Sequence, residues 1–479
     1  MRVLFSIVVD EWRYWKRSKI AITLLVLGVL LAIASSVING VKIYDVSHER
    51  AHLQEAADTR FIQQPNRHPH RMVHYGHYVF RTPTPLSYLD PGIDAFTGHT
   101  IFLEGHRQNS AMFAEQRQMG GLARFSRLTP SFILQTVAPL FIVLMGYASI
   151  TREKEAGTLI VILTQGVTFR TLVLGKALAL ISVCVVLLLP FLIASIWVVI
   201  FGENLLVTLS FFAGYAFYLF VWVCITVCFS VMLLQSHTSL IGLVTLWVVF
   251  CILSPRLASN TAAFLAPSES KLTLDFEVRN ALAKLGDGHS AADPAFVTLK
   301  ANLLAKYKVD SIEELPVNFR GVVAQYAEAQ LTQVLIQFAE ERMKQELMQA
   351  NVAREFGWLS PTVALRTYSM LLSGSSLETH HKFLREAEEV RFEFVQSLNE
   401  LHEKALDYQA DLNRNKNSTA QQNARISDQH WKNAFSEFSF EPYSAKHRLE
   451  SNKYYAAQLI LWGLISIFGV FYVTRKERI

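Results

Sequence analysis

The chain has 479 residues, of which 51% are hydrophobic and 18% are charged, with a formal net charge of +5. Five stretches contain no Asp, Glu, Lys or Arg, and they hold 145 residues: 20–41, 128–151, 177–202, 204–255 and 454–474. The 45 basic and 40 acidic residues therefore make up a quarter of the other 334 residues, as in soluble proteins. This division of the chain excludes both a simple soluble enzyme and a compact all-membrane channel.

Six membrane-spanning helices are predicted from these stretches. A helix rises about 1.5 Å per residue and the hydrocarbon core is about 30 Å thick, so about 20 apolar residues cross it once. Four stretches fit one span each, and the fifth is long enough for two because the polar sequence QSHTS at 235–239 divides it. The predicted spans are 20–41, 128–151, 177–202, 204–234, 239–255 and 454–474.

The basic residues near the span ends predict the orientation. With six spans, the termini (1–19 and 475–479) share one side with the loop 152–176. That side carries 12 basic and 5 acidic residues, whereas the short loop opposite carries only Glu203. We therefore expect the termini and this loop in the cytoplasm, and two insertions, 42–127 and 256–453, outside. Both insertions lack cysteine, so neither is held by disulfides.

The first span also admits a second interpretation. The sequence Ala32-Ile33-Ala34 resembles a signal-peptidase site that follows a basic start and an apolar core. However, the charge-free stretch continues to Val41, and cleavage would leave five spans and disturb the charge balance. The segment before it mixes aromatic and charged residues, as an amphipathic helix at a membrane surface does. We favour an uncleaved anchor.

The first insertion, 42–127, is rich in histidine and in turn-forming residues, which predicts a short helix followed by loops and small strands. Imidazole nitrogens can bind Zn, Cu or Ni. Four closely spaced histidines are candidate ligands for Zn or Cu: His68, His70, His74 and His77. Because few carboxylates and no cysteine accompany them, hydrogen-bonded structural histidines are the alternative.

The loop TREKEAGTLIVILTQGVTFRTLVLGK (151–176) predicts a short helix beneath the membrane. Gly157 permits a sharp turn, Thr158 can cap a helix, and 159–163 is apolar. Such a helix can dock in a groove of a partner protein, with Glu153 and Glu155 as salt-bridge partners. A plain interfacial connector is the alternative.

The second insertion, 256–453, has helical periodicity. Segment 319–356 and a stripe from Phe383 to Leu412 repeat apolar residues every three or four positions, which predicts long helices, the second over 377–412. Its charged residues, 23 basic and 26 acidic, give no support to nucleic-acid binding.

The sequence has no motif for catalysis or nucleotide binding. The only Gly-Lys pair, Gly175-Lys176, lacks the first glycine of a phosphate-binding loop, because Arg170 stands there. Neither an HExxH metalloprotease motif nor a G-x-S-x-G elbow is present. We therefore expect no enzymatic activity from this chain alone.

The loop resembles that of ABC-2 type transporter permeases, in which an acidic pair, Gly-Thr and an apolar run follow the second span and Gly-Lys precedes the third. The matching positions are Glu153, Glu155, Gly157, Thr158, Leu159, Gly175 and Lys176. The N-terminal DEWRYWKRSK resembles the amphipathic helix at the start of such permeases. The segments HPHRMVHYGHYVF, PLSYLDPGIDAFTG, LEGHRQN and LSPTVALRTYSMLLSG resemble a bacterial subgroup with enlarged extracytoplasmic insertions and a domain of unknown function.

The resemblance implies a permease subunit in the bacterial inner membrane. It would pair with a second permease, identical or homologous, and with two copies of an ATP-binding cassette ATPase, which would bind ATP and Mg²⁺. The residues implied to couple ATP hydrolysis to substrate movement are Glu153, Glu155, Gly157, Thr158 and Leu159. Two alternatives stay open: ATPase-driven motion of the outer helices acting on a periplasmic partner, and a membrane-anchored metal-handling protein.

Overall fold

The computed structural model describes residues 2–114, 128–285, 294–434 and 438–476. In these ranges the chain is mainly helical and contains one two-stranded sheet. Six helices are long and apolar enough to cross a membrane, which confirms the predicted helical architecture. We number them spans 1 to 6: Lys19–Ile62, Pro130–Glu155, Phe169–Ile200, Leu205–Met232, Ser236–Leu265 and Lys453–Arg475.

The other elements precede, connect or follow these spans. The helices are α1 (Arg2–Arg17), α2 (Pro69–Tyr75), α3 (Thr158–Thr164), α4 (Lys271–Leu282), α5 (Val297–Tyr307), α6 (Phe319–Glu355), α7 (Pro361–Ser373), α8 (Leu377–Ala405), α9 (Tyr408–Asn413), α10 (Ser418–Asn423), α11 (Gln429–Ala434) and α12 (Ala445–Ser451). Strands β1 (His77–Phe80) and β2 (Thr100–Leu103) pair antiparallel, with His77 opposite Leu103 and Phe80 opposite Thr100. Residues 115–127 and 477–479, which the sequence assigns to the first insertion and to the tail, lie outside the described residues.

Several spans extend beyond the charge-free stretches that predict them, and spans 1 and 5 extend furthest. Span 1 continues through charged residues to Ile62, so its 44 residues measure about 66 Å, twice the membrane core. Span 5 continues past Pro255 to Leu265. The polar break at 235–239 does divide the longest stretch, because span 4 ends at Met232 and span 5 begins at Ser236.

Span 4 lies at the centre of the helical bundle and packs on spans 2, 3 and 6. Its Tyr215, Tyr218 and Trp222 side chains are fully buried. Spans 3 and 6 turn large apolar residues outward, among them Ile193 and Phe468, each exposed over about two thirds of its surface. Apolar side chains on the outside of a bundle suit a lipid environment, where hydrocarbon tails replace water.

The two insertions pack together into a single body, which we call the outer body after the position that the sequence predicts for it. Phe61, Met72 and Val73 of the first insertion share a buried core with Leu398 and Trp431 of the second. A second shared core joins β1 and β2 to α8, through Val79, Ile101 and Leu103 on one side and Phe383 and Ala387 on the other. Span 2 connects this body to the loop 152–176, so the two lie at opposite ends of the bundle.

The predicted long helices occur, but the second is shorter than expected. Helix α6 spans Phe319–Glu355, close to the predicted 319–356, whereas α8 ends at Ala405 instead of continuing to 412. Leu406 is extended, and the Asp407 carboxylate then accepts from the Ala410 N–H and begins α9. Helix α8 therefore measures about 44 Å, not the roughly 55 Å that the continuous stripe predicts.

The second insertion also sends a helical hairpin back into the bundle. After α6 the chain turns at 356–360, and α7 returns with most of its side chains buried. The Ser360 hydroxyl donates to the Phe250 carbonyl in span 5 (3.0 Å), and Trp462 of span 6 donates to the Gly357 carbonyl (3.0 Å). The outer body is therefore connected to spans 5 and 6 by side-chain contacts as well as by the chain itself.

Candidate functional site

The loop that follows span 2 forms the short helix that its sequence predicts. Span 2 ends at Glu155, Gly157 adopts a left-handed conformation (φ 68°), and α3 begins at Thr158. A Cβ atom at Gly157 would meet nothing within 4 Å, so the backbone conformation, not crowding, favours glycine here. Thr158 is not the cap that we predicted: it is the first residue of α3, and its hydroxyl donates to the Glu153 carboxylate (2.5 Å).

Helix α3 has one buried and one exposed apolar face. Leu159 is buried in the core of the bundle, whereas Ile160 and Val161 are 64% and 54% exposed. Leu159 therefore anchors the helix and is not available to a partner protein. The exposed pair forms the apolar part of the surface that α3 offers, and the two side chains are adjacent at the helix start.

Four charged residues join this loop to the N-terminal helix and to span 3. Arg152 donates to Glu11 of α1 (2.6 Å), and Lys176 of span 3 contacts Glu153 (2.9 Å) and also Glu11. Glu11 and Lys176 are only 1% and 3% exposed. Two cations thus compensate two anions in a largely desolvated site, where an unpaired charge would be costly. We call these four residues the ion cluster.

Gly175 explains how α1 reaches the ion cluster. A Cβ atom at this position would lie 2.6 Å from the Ile7 side chain of α1, so glycine permits the close contact between α1 and span 3. The next residue, Lys176, then reaches Glu11. The Gly-Lys pair therefore has a packing role and an ion-pairing role, which its sequence spacing alone did not distinguish.

The same loop also contacts the cytoplasm-facing ends predicted for spans 4 and 5. The Glu155 carboxylate accepts from the Ser236 backbone N–H (2.8 Å) and hydroxyl (2.5 Å), and so caps the first residues of span 5. Lys154 donates to the Val231 carbonyl near the end of span 4 (2.5 Å). Sequence reasoning assigned Glu153 and Glu155 to a partner protein. It missed that Glu153 pairs with Lys176 and that Glu155 pairs with Ser236, because only the fold brings these residues together.

The structure separates the four predicted histidine ligands into three groups. His68 contacts Asp411 of α9. His70 and His74 lie together on α2, their Nε2 atoms 3.2 Å apart. His77 contacts the Asp58 carboxylate (2.9 Å), and burial lowers its pKa to about 4. The four side chains therefore do not surround one metal ion.

His68 takes part in a buried polar cluster that joins the insertions. Its Nδ1 accepts from the His70 N–H (3.2 Å) at the start of α2, and its Nε2 contacts Asp411 (3.0 Å). His402 contacts the other Asp411 oxygen (2.8 Å), and Arg414 pairs with the same carboxylate. Although burial opposes ionisation, hydrogen bonds from His402 and His68 hold the pKa of Asp411 well below its usual range.

A second buried carboxyl lies between the first insertion and the bundle. Asp90 accepts hydrogen bonds from Gln135 (3.3 Å), Tyr215 (3.4 Å) and Ser369. Burial raises its pKa above the ordinary value. In the sequence, Asp90 stands in the turn-rich segment PLSYLDPGIDAFTG, which gives no sign of distant partners, so its contact with two spans and α7 was not predicted.

Comparison with known proteins adds one match. A family model described as a domain of unknown function, DUF3526, matches residues 271–441, which is less than half of the chain and corresponds to α4 through α11 with the start of the segment before α12. None of the curated proteins and none of the solved structures compared with the chain matches it.

Proposed function

We propose that this protein is the permease subunit of an ABC-2 type transporter, lying in a bacterial inner membrane with its termini and α3 in the cytoplasm and its outer body in the periplasm. A separate ATPase subunit, in two copies, binds and hydrolyses ATP, and a second permease completes the bundle. The residue resemblance in the loop 151–176 and the six apolar helices support this proposal.

One observation carries the proposal: α3 is a short, anchored helix with an exposed apolar pair, Ile160 and Val161. Leu159 packs α3 against the bundle, and the ion cluster holds the residues that precede α3. A displacement of α3 would therefore be transmitted to α1 and span 3. If the spans have two arrangements, an ATPase that closes on ATP can shift the equilibrium between them through such an element. It must then bind the two arrangements with different affinity.

Substitution of Ile160 by Glu tests this docking surface. The full chain is purified from its own membrane in mild detergent, and the retained MgATP-hydrolysing subunit is quantified. We expect at least about tenfold less of it with Ile160→Glu, because a buried charge replaces an apolar contact. Val297→Glu on α5, where the side chain is equally exposed, is the matched control. Equal retention by both variants, or no such subunit with the unmodified chain, contradicts the proposal.

The embedded hairpin favours a second candidate function, in which the ATPase moves the outer body against a periplasmic partner and nothing crosses the membrane. The turn at 356–360 contacts spans 5 and 6 directly, so rearranged spans would move α6 and α7. Replacing α4 and α5 (271–307) by a flexible linker separates the candidates. Retained ATP-dependent transport contradicts the mechanical function, whereas loss of periplasmic partner binding with unchanged ATP hydrolysis supports it.

A further inference from the structure

Three histidines converge at the surface of the outer body, in a set that differs from the one predicted by the sequence. His70 and His74 are four residues apart and share one face of α2. His106 follows β2 and reaches the same place, with its ring centroid 5.7 Å from that of His70 and 5.2 Å from that of His74. One ligand atom from each lies within 4.8 Å of the other two.

The backbone conformation at Gly105 and His106 places His106 beside α2. Gly105 donates its N–H to the Val73 carbonyl of α2 (3.2 Å), and a Cβ atom at Gly105 would lie 2.1 Å from the Val73 side chain. His106 itself has φ 65°, a left-handed conformation that costs free energy for a residue with a Cβ atom. Strained residues of this kind persist where the surrounding structure holds them, and they are frequent at functional sites.

A buried carboxylate orients His106. Glu328 of α6 accepts from both the Nδ1 (3.1 Å) and the backbone N–H (3.2 Å) of His106, and its charge is compensated by Arg391 (2.6 Å). With its proton on Nδ1, His106 would coordinate a metal ion through Nε2, as in the carboxylate–histidine–metal arrangement of zinc proteins.

We propose that His70, His74 and His106 form a three-histidine centre for Zn²⁺, with Glu328 as the residue that positions His106. In a tetrahedral zinc site with Zn–N bonds of about 2.0–2.1 Å, neighbouring nitrogens lie about 3.3 Å apart. The His70 and His74 Nε2 atoms are already 3.2 Å apart. His74 is exposed and the other two histidines are half-buried.

The buried cluster around Asp411 is a poorer candidate, although it also contains two histidines. Both ring nitrogens of His68 already have partners, and both Asp411 oxygens accept hydrogen bonds. The guanidinium groups of Arg414 and Arg320 lie beside the same carboxylate and would repel a divalent cation. The three-histidine centre therefore differs from this cluster in chemistry as well as in place.

The proposal is independent of the transport function, and metal binding itself tests it. The full chain in detergent is stripped with a chelator, dialysed and titrated with Zn²⁺ by calorimetry. We expect one tight site per chain, weakened at least about 100-fold by His74→Ala and about 10- to 100-fold by Glu328→Gln. His52→Ala, which removes an exposed histidine from span 1, should bind as the unmodified chain does.

Cobalt gives a second measurement that does not depend on affinity. Co²⁺ in the proposed centre should show the intense visible absorption of a four-coordinate site, and His70→Ala should abolish it. Because His74 is exposed, His74→Ala should retain the unfolding temperature of the unmodified apo chain. Absence of stoichiometric Zn²⁺ binding overturns the proposal, and so does binding that His68→Ala abolishes and His74→Ala leaves unchanged.

Discussion

At the scale of single residues, Lys176 is the residue on which the ion cluster depends. Its ammonium group is almost fully buried between the carboxylates of Glu11 and Glu153, while Arg152 pairs with the first of them from the solvent side. Removing one partner of a buried ion pair leaves a desolvated charge, whereas removing both leaves none. A single substitution in the ion cluster should therefore destabilise the protein more than a double substitution that removes one cation and one anion.

Lys176→Met should destabilise the protein by about 3–5 kcal/mol, because two carboxylates then share only Arg152. The double variant Glu11→Gln, Lys176→Met keeps one cation and one anion and should recover most of the lost stability. Thermal unfolding in detergent measures both variants. Equal destabilisation by the single and double variants would show that packing, not charge compensation, determines the effect.

Acid should weaken the outer body through its partly buried histidines. Burial, with the charges of Arg50 and Arg81, lowers the pKa of His99 to about 4. The unfolded value is about 6.5, so the stabilisation from neutral His99 is complete above pH 6.5 and is lost as the pH falls towards 4.

His99→Gln should remove about 1–2 kcal/mol of the acid-induced loss of stability, after allowance for partial solvent exposure. Unfolding temperatures between pH 7 and pH 4 measure this loss, with His52→Gln on the exposed face of span 1 as the control. Identical pH profiles for His99→Gln and the unmodified chain would exclude His99 as a contributor.

At the scale of elements, periodicity and charge predict helices, which depend on residues close together in the chain. They do not predict contacts between residues that are far apart in the chain. The six apolar helices and α6 were predicted because each shows its own pattern. The end of α8 was not, since an apolar stripe continues across Leu406 although the backbone there is extended. The partners of Glu155 and His68 come from segments far along the chain, so no local pattern identifies them.

Gly157→Ala should cost about 1–2 kcal/mol or displace α3, because the left-handed backbone disfavours a Cβ atom even where space is open. ATPase retention and unfolding temperature should both fall. Gly157→Asn should be milder, since asparagine tolerates this conformation. Gly40→Ala is the matched control, because a Cβ atom at this helical position would have its nearest neighbour 3.9 Å away. It should leave ATPase retention and the unfolding temperature unchanged. Unchanged retention with Gly157→Ala would show that the geometry of α3 is unimportant.

At the scale of the whole molecule, the chain consists of a helical bundle with α3 and the ion cluster at one end and a joint outer body at the other. The body is made from two segments that are far apart in sequence, and it also extends α7 into the bundle. Because its cores contain residues from both insertions, the insertions should unfold together.

Leu398→Ala, which creates a cavity in a fully buried site of α8, should destabilise the outer body by about 2–5 kcal/mol. Hydrogen exchange should then increase in α2 and β1 of the first insertion as well as in α8, because they share this body. Tyr326→Ala on the exposed side of α6 provides a comparison with little buried area lost. Faster exchange confined to 377–405 would show that the insertions are independent domains.

The shared core has a consequence for biosynthesis. Phe61 and Met72 emerge early, but the residues that cover them, from Phe394 to Trp431, follow about 330 residues later. At roughly 5–20 residues per second, the first insertion waits about 15–70 seconds with its apolar face uncovered. During that interval it is exposed to aggregation and proteolysis, so assembly of this protein should depend on a chaperone that shields the nascent segment until translation is nearly complete.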